Sequence, residues 1–212
     1  MKSNPKLYLN ETKYYKNGVK TIGGIDEVGR GSWAGPLVVG VVIFPRSYKN
    51  PEINDSKKLN RKKRDELYDE IKKNAIYCDT IFISSDKIDA RNNIKTSTRL
   101  AMIDLIKKSK NKADIYLIDA EKITLKDYEI KEQTKADEKF QSVAAASIVA
   151  KVERDRYMIE LSKVYKNYGF DKHVGYGTKI HANAIEKYGI IPHVHRTSFA
   201  PIKSILRNTK KS

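Results

Sequence analysis

The residues that could carry chemistry are concentrated in the stretch from Gly24 to Gly31, where a predicted strand ends in the adjacent carboxylates of Asp26 and Glu27. Two acids at the end of a strand can hold a divalent cation. Glycines flank Arg30 directly afterwards, and a glycine turn offers backbone N–H groups that a bulky side chain would shield. The stretch therefore predicts a metal ion beside a phosphate group.

Two further acids occupy comparable places in the chain. Asp119 follows a short apolar run, residues 115–118, and Asp137 lies just before an alanine-rich helical pattern. Strand ends on one edge of an α/β sheet converge on one crevice, so these acids are expected beside the first pair. Clustered carboxylates repel one another unless a cation neutralises them. Because the donors are hard oxygens with no Cys or His cluster, the sequence predicts Mg²⁺ or Mn²⁺ rather than zinc.

A competing interpretation is a dinucleotide site, because residues 29–34 formally fit the pattern G-x-G-x-x-A that follows a strand. That motif requires a helix to begin at the glycines, so that its N-terminus faces the pyrophosphate. Here Gly35 and Pro36 lead instead into a second apolar run of strand type. Carboxylates beside a pyrophosphate would also repel it, and the dinucleotide interpretation is rejected.

Composition sets the broad class of the protein. The chain of 212 residues carries 42 Lys and Arg against 26 Asp and Glu, a net charge of +16, and its 40% hydrophobic content is sufficient for a core. Such a cationic excess favours a polyanionic partner through the release of counterions. A single cysteine, Cys78, and no long apolar run lead us to expect a cytoplasmic protein without a membrane span.

The elements that must position the acids alternate between strand and helix patterns, which predicts an α/β sheet with helices packed on it. Residues 1–20 show no clear period and are expected to form an arm or edge element. The helix at 86–110 is expected to bury Leu100, Ile103 and Ile106. Predicted strands cover 22–28, 37–44, 76–84, 115–118 and 128–135, and predicted helices cover 60–73, 86–110, 140–168, 178–188 and a segment from 201.

Beyond the first stretch, further motifs follow in order along residues 22–200: AGP at 34–36, NDSKKL at 54–59, IDA at 118–120, ADEKFQSVAAASIVAKVERD at 136–155, HVGYGT at 173–178 and HRTSF at 195–199. With this set the chain resembles type 2 ribonuclease H, ribonuclease HII. The resemblance implies an RNase H-like fold, with a mixed central sheet flanked by helices and a C-terminal helical segment. It implies one catalytic domain over 1–212, of which about 168–212 binds substrate.

The activity that the resemblance implies is endonucleolytic. The enzyme would cut the RNA strand of RNA–DNA hybrids, and would cut 5′ to single ribonucleotides in duplex DNA, leaving a 5′-phosphate and a 3′-hydroxyl. The family's four catalytic, metal-binding carboxylates correspond to Asp26, Glu27, Asp119 and Asp137. Counting back from the AAAS of residues 144–147 assigns the last role to Asp137 and makes Glu138 a surface neighbour. Two metal ions would then activate water and stabilise the leaving oxygen.

Substrate contacts are also implied by the resemblance. The backbone of Gly29, Arg30 and Gly31 would read the ribose 2′-OH, which distinguishes RNA from DNA. Tyr176 corresponds to the family tyrosine that stacks on the sugar at the RNA-to-DNA junction. Trp33 stands where the family commonly has an aliphatic residue, and we interpret it as a packing variation. Positively charged side chains are expected to contact phosphates without reading sequence: Lys57, Lys58 and Arg196.

The remaining polar residues have simpler interpretations. His193 and His195 lack a third ligand for zinc and are interpreted as structural, while Asp55 and Asp155 are expected to cap or hydrogen-bond locally. The alternative function is a non-catalytic basic nucleic-acid-binding module, which would explain the charge but not the acids. We expect a monomer, and the tail after Phe199 lacks a clamp-binding pattern of Gln plus aromatic residues.

Overall fold

The computed structural model describes residues 6–119 and 121–209, with only the backbone of 208 and 209. Ala120 of the IDA motif and the chain ends lie outside the described residues. Five strands are present: β1 (Ile22–Val28), β2 (Leu37–Ile43), β3 (Tyr77–Ile83), β4 (Ile115–Asp119) and β5 (Glu129–Gln133). The α-helices are α1 (Lys6–Lys16), α2 (Arg61–Asn74), α3 (Ser85–Arg91), α4 (Ile94–Lys108), α5 (Gln141–Val164), α6 (Phe170–His173), α7 (Lys179–Tyr188) and α8 (Ala200–Thr209). Short 3-10 helices cover Ser56–Lys58, Ala136–Glu138 and Lys166–Tyr168.

The strands form one mixed sheet in the order β3-β2-β1-β4-β5. β1 pairs with β4 in parallel, and β4 pairs with β5 in parallel, with Ile25 opposite Ile118. All seven residues of β2 are buried, as its continuous apolar sequence predicts for a strand covered on both faces. The predicted α/β architecture is confirmed. Its consequence is that β1, β4 and β5 end at the same edge of the sheet.

The chain divides into two compact units. The first contains residues 1–28, 39–81 and 99–152, and includes most of the sheet. In its core, Ala144, Ala145 and Ala146 of α5 are fully buried, which confirms the close packing predicted from the alanine-rich sequence. Gly24 of β1 shows how close the helix comes, because a Cβ there would collide with the backbone of Ser142.

The second unit contains residues 29–38, 82–98 and 153–212. Its apolar core is built around Met158 of α5 and Phe170 of α6, and includes Ile185 of α7 and Ile202 of α8. The helix predicted for 140–168 ends at Val164, and a 3-10 helix follows at Lys166–Tyr168. Gly169 ends that 3-10 helix in a left-handed conformation with φ 70°. Among the described residues, no helix is long and apolar enough to cross a membrane.

Two predictions about local structure are wrong. Residues 6–16 form α1 rather than an irregular arm. The sequence did not predict this helix because its two buried residues, apolar Leu7 and acidic Glu11, do not form an apolar face. The pattern at 86–110 is two helices, interrupted where Asn92 adopts φ 48°. Leu100 is 39% exposed, and α4 turns its neighbours Ala101, Met102, Leu105 and Ile106 toward the core.

The buried carboxylate of Glu11 joins α1 to the start of α5. One of its oxygens accepts hydrogen bonds from the backbone N–H and the hydroxyl of Ser142, both at 2.7 Å. Burial raises the pKa of Glu11 from its ordinary value of 4.5 to about 7, against the lowering effect of these bonds. Ionisation of Glu11 is therefore less favourable in the folded protein than in the unfolded chain.

We expect stability to fall as the pH rises through this range. Since the folded-state pKa lies above the unfolded one, the contribution of Glu11 is complete below pH 4.5 and is lost by about pH 7. A shift of this size corresponds to roughly 3 kcal/mol of unfolding free energy. Glu11→Gln should flatten this part of the profile, measured by urea unfolding at several pH values. The exposed Glu186 on α7 offers a control, Glu186→Gln, and equal profiles for both variants would contradict the assignment.

Candidate active site

The four predicted carboxylates lie in the first unit, on three elements. Asp26 and Glu27 are near the end of β1, Asp119 is the last residue of β4, and Asp137 is in the 3-10 helix that precedes α5. Asp26 and Asp137 are buried, with 5% and 3% of their surfaces exposed. The parallel pairing of β1 with β4 brings the first three acids to one edge of the sheet.

Electrostatics connect these acids into one cluster. The pKa of Asp26 is raised well above its usual range, chiefly by burial, then by the charges of Glu27 and Asp137, while a hydrogen bond to Ser147 opposes the shift. The pKa of Asp137 is raised by burial and by the charges of Asp55 and Asp119, against the lowering effect of Lys57. Neighbouring carboxylates thus disfavour the ionisation of Asp26 and of Asp137, which a bound cation would relieve.

The NDSKKL segment places two lysines beside this cluster. Asp55 caps the 3-10 helix at 56–58 by accepting a hydrogen bond from the backbone of Lys57 at 3.0 Å, which confirms its predicted capping role. The ammonium group of Lys57 lies 3.5 Å from a carboxylate oxygen of Asp137. Lys58 instead pairs with Glu138 at 3.3 Å, and the Glu138 side chain is 38% exposed. These positions favour Asp137 over Glu138 as the member of the cluster.

Two serines were missed by sequence reasoning. The side chain of Ser147 hydrogen-bonds Asp26, and its hydroxyl lies 2.9 Å from that of Ser56. Both serines are buried. The available signal was that Ser147 is the one hydroxyl residue in the otherwise apolar run 143–150 of α5. Ser147 therefore orients Asp26, a buried acid of the site.

In the second unit, Arg196 holds the glycine turn at residues 29–31. Its guanidinium donates to the carbonyl of Gly29 at 2.6 Å, to that of Arg30 at 3.2 Å, and twice to that of Gly35 at 2.8 and 3.0 Å. None of the Arg196 surface is exposed. A phosphate contact was predicted for Arg196, but a fully buried guanidinium occupied by carbonyls is not placed to make one. Arg196 positions the turn instead.

A second arginine, Arg154, binds the backbone of the same region, and sequence reasoning assigned it no role. It is also fully buried and donates to the carbonyls of Ala34 at 3.1 Å, Pro36 at 2.8 Å and Val174 at 2.8 Å. Its guanidinium lies 5.4 Å from the ring centre of Tyr176. Two buried guanidinium groups, those of Arg154 and Arg196, thus fix the backbone of the glycine turn and of the loop that carries Tyr176.

Three buried histidines fix the loop that carries the half-buried Tyr176. His181 Nδ1 lies 3.0 Å from the carbonyl of Tyr176, and its Nε2 lies 3.1 Å from Nε2 of His195. His195 Nδ1 accepts the N–H of Ile191 at 2.7 Å, and His173 Nδ1 accepts that of Gly175. Burial lowers the pKa of both His181 and His195 to about 4. These rings are therefore neutral near pH 7. Which of the two ring nitrogens carries the hydrogen is determined by the hydrogen-bond partners of each ring.

The remaining predictions in this unit concern packing. The ring of Trp33 lies 5.6 Å from that of His181 and packs on the apolar core, which confirms its interpretation as a packing residue. His195 is buried in the hydrogen-bond network, while His193 is exposed and lies 3.0 Å from Asp86. The two histidines therefore have separate structural partners.

Comparison with known proteins decides the family. The family model for ribonuclease HII matches residues 23–202. The chain belongs to the ribonuclease HII family. It is 44% identical to the ribonuclease HII of Bacillus cytotoxicus over 98% of this chain and 81% of that protein. It is 42% identical to that of Endomicrobium trichonymphae, over 96% of this chain and 97% of the relative.

Solved structures agree with this assignment. The structure of a PCNA:RNase HII complex from Archaeoglobus fulgidus matches with a TM-score of 0.71 at 28% identity, covering 83% of this chain and 92% of that one. Ribonuclease H2 from Pyrococcus horikoshii OT3 matches with a TM-score of 0.75 at 24% identity, covering 91% and 100%. The second likeness shows the fold, and the predicted RNase H-like fold is confirmed.

Membership of the ribonuclease HII family establishes the activity. The protein is a divalent-metal-dependent endonuclease that acts on the RNA of RNA–DNA hybrids and removes ribonucleotides. The predicted enzyme class and cofactor class are confirmed. The basic binding module without catalysis is correspondingly rejected.

The donor set fits a hard divalent cation. Carboxylate oxygens are the ligands that Mg²⁺ and Mn²⁺ prefer. Burial and the charges of neighbouring acids raise the pKa of Asp26 and of Asp137, an effect that a bound cation would oppose. In residues 6–119 and 121–209, no three His, Cys, Asp or Glu side chains already form a metal-binding group. Asp119 accepts the N–H of Ala136 at 3.2 Å, and Asp137 lies beside the ammonium group of Lys57.

Proposed function

We propose that the ribonuclease HII reaction takes place at Asp26, Glu27, Asp119 and Asp137, and that the protein cuts 5′ to ribonucleotides, leaving a 5′-phosphate and a 3′-hydroxyl. The observation that supports this assignment is the parallel pairing of β1 with β4, which brings Asp26, Glu27 and Asp119 to one sheet edge. Burial and the charges of Glu27 and Asp137 raise the pKa of Asp26 there, which ties Asp137 to the same group. The four acids would hold two Mg²⁺ or Mn²⁺ ions. When bound, such ions activate water and stabilise the departing oxygen in an in-line displacement.

The side chains around the acids orient them and position the substrate. Ser147 holds Asp26 by a hydrogen bond, so one carboxylate oxygen keeps a fixed direction. Lys57, whose side chain is 80% exposed, can leave Asp137 for a substrate phosphate, which supports its predicted phosphate contact. Lys58 would contact a phosphate farther away, because it lies beside Glu138. Neither lysine reads sequence.

Recognition of ribose is assigned to the turn formed by Gly29, Arg30 and Gly31. Arg196 binds the carbonyls of Gly29 and Arg30 on the buried side, which fixes the direction of the peptide groups in the turn. A backbone group fixed in this way can hydrogen-bond a 2′-OH without loss of conformational entropy on binding. Only one residue separates Glu27 from Gly29. The turn proposed to select the ribose therefore follows directly in sequence on two of the proposed catalytic acids.

Tyr176 is assigned to the junction where RNA is followed by DNA. Its carbonyl is held by His181, and Arg154 lies over its half-buried ring at 5.4 Å. These contacts restrict the ring, which supports stacking on a sugar. Tyr176 belongs, with α6, α7 and α8, to the segment of about 168–212. We assign this segment to substrate binding within a single catalytic domain.

A duplex that contains one ribonucleotide tests the proposed function. We expect cleavage on the 5′ side of the ribonucleotide in Mg²⁺ or Mn²⁺, and no cleavage in excess chelator, with products identified by their terminal groups on a sequencing gel. Binding should persist in the chelator because lysines supply much of the affinity. Equal cleavage with and without chelator would reject the metal role, and cleavage on the 3′ side would reject the assigned polarity.

The proposal extends to the cellular location, the oligomeric state and the partners of the protein. We assign the protein to the cytoplasm, in accord with its single, partly exposed Cys78. We further propose that it acts as a monomer. The sequence after Phe199 has no Gln-plus-aromatic pattern of the kind that binds a sliding clamp. Its nucleic-acid partners are RNA–DNA hybrids and ribonucleotide-containing DNA.

A further inference from the structure

A cavity of about 460 Å³ lies between α1 and the segment that follows β5, within the first unit. Asn10 and Lys13 of α1, and Asn17 directly after it, line the cavity at spacings of about one helical turn. Gln133 and Lys139 line the opposite side. Its size is in the range of pockets that hold small ligands or part of a larger one.

Part of the cavity lining lies at the same edge of the sheet as the acids. Gln133, the last residue of β5, is the parallel partner of Asp119, and neighbouring strands are about 4.8 Å apart. Lys139 follows Asp137 by two residues. A nucleic-acid strand with its phosphate at the acids would therefore pass close to the cavity.

The lining has the chemistry of a phosphate site. Two lysines and three amide side chains line the cavity, and no acid is among its described lining residues. Tyr14 and Phe140 form an aromatic floor, with ring centres 6.0 Å apart in an edge-on arrangement. The lysines can neutralise a phosphate, the amides can donate hydrogen bonds to it, and the aromatic floor can pack against a sugar.

The two sides of the cavity are fixed to each other. Asn10 donates to the carbonyl of Lys139 at 2.8 Å, and Glu11 binds the start of α5 through Ser142. The ammonium group of Lys139 donates to the carbonyl of Thr134 at 2.8 Å. Lys13 is exposed on α1 and can reach a ligand without breaking these contacts. The walls of the cavity are consequently fixed before a ligand binds, while the exposed side chain of Lys13 can change its conformation to contact the ligand.

We propose that this cavity binds a backbone phosphate and its sugar in the substrate strand adjacent to the cleavage site, with Lys13 as the main phosphate contact. The proposal rests on the proposed function, because the four acids set the position of the cut. The cavity adds affinity and holds the strand in register without reading bases. α1 thereby becomes part of the substrate-binding surface.

The test compares Lys13→Gln with Lys16→Gln. Both lysines are exposed on α1, but only Lys13 lines the cavity. For Lys13→Gln we expect weaker binding of a ribonucleotide-containing duplex, and a slope of log affinity against log salt reduced by about 0.9. Lys16→Gln should keep the wild-type slope, and Lys13→Arg should restore binding.

Shortened substrates and free phosphate complete the test. Removing nucleotides stepwise from each end of the cleaved strand should weaken wild-type binding at one defined step, and that step should have no effect in Lys13→Gln. Equal slopes for Lys13→Gln and Lys16→Gln, in a wild-type protein that cuts normally, would overturn this inference alone. Inorganic phosphate that binds at Lys13 without affecting duplex binding would also overturn it. Failure of the wild type to cut would instead reject the proposed function.

Discussion

Asp137→Asn is expected to reduce cleavage of a single-ribonucleotide duplex by roughly 10³-fold or more, equivalent to about 4 kcal/mol of transition-state stabilisation. Asp137 is buried among Asp26, Asp119 and Lys57. An asparagine keeps its size but loses the charge that a divalent ion requires. Single-turnover rates at saturating Mg²⁺, and again at saturating Mn²⁺, measure the loss directly.

The adjacent Glu138 provides the matched control. Glu138→Gln changes an acid that is partly exposed and paired with Lys58, so we expect its cleavage rate to stay within about twofold of wild type. Both variants should retain the wild-type fold by circular dichroism. A large loss in Glu138→Gln together with an active Asp137→Asn would reverse the assignment of the fourth carboxylate and place Glu138 in the metal site.

The position of the acids could be predicted from sequence because it follows from local patterns. Apolar runs that end in an acid identify both β1 with Asp26 and β4 with Asp119. Parallel strands in an α/β sheet bring such ends together. Asp137 required the family motif as well, because it lies on a 3-10 helix rather than at the end of a strand. The structure adds the electrostatic coupling that the linear sequence only suggests.

The role of Arg196 could not be predicted because its partners are distant and belong to the backbone. The carbonyls of Gly29 and Gly35 lie more than 160 positions away in sequence, and every residue type carries a carbonyl. An arginine in a strongly basic chain is ordinarily an exposed charge. Only the folded chain reveals that Arg196 and Arg154 are fully buried.

α1 was missed for a related reason. Helix prediction depends on a periodic apolar face, and α1 buries the acid Glu11 where an apolar residue is expected. That acid is satisfied by Ser142, 131 positions away. A tertiary contact therefore replaces the apolar face, and no local signal in residues 6–16 reports it.

Gly29→Ala is expected to damage the turn itself. Gly29 adopts φ 91°, and an added Cβ would collide with the Nε of Arg154 and approach the carbonyl of Pro36 at 2.9 Å. A non-glycine residue in such a conformation costs about 1 to 3 kcal/mol, to which the collision with a buried guanidinium adds. We expect a lower melting temperature and a loss of cleavage at every substrate concentration, measured by thermal unfolding and by steady-state kinetics.

Gly31→Ala separates substrate recognition from folding in the same turn. An added Cβ at Gly31 meets nothing within 4 Å, so stability should change by no more than about 0.5 kcal/mol. If the turn reads the ribose, the new methyl group prevents close approach of the sugar, and cleavage at a ribonucleotide should fall about tenfold, the value of one lost hydrogen bond. The preference for ribose over 2′-fluoro sugar should narrow at the same time. A stable Gly31→Ala protein with the wild-type preference for ribose over 2′-fluoro sugar would show that the ribose is read elsewhere. Gly29 would still be required in that case, because its conformation allows the turn to pack beside Arg154 and Arg196.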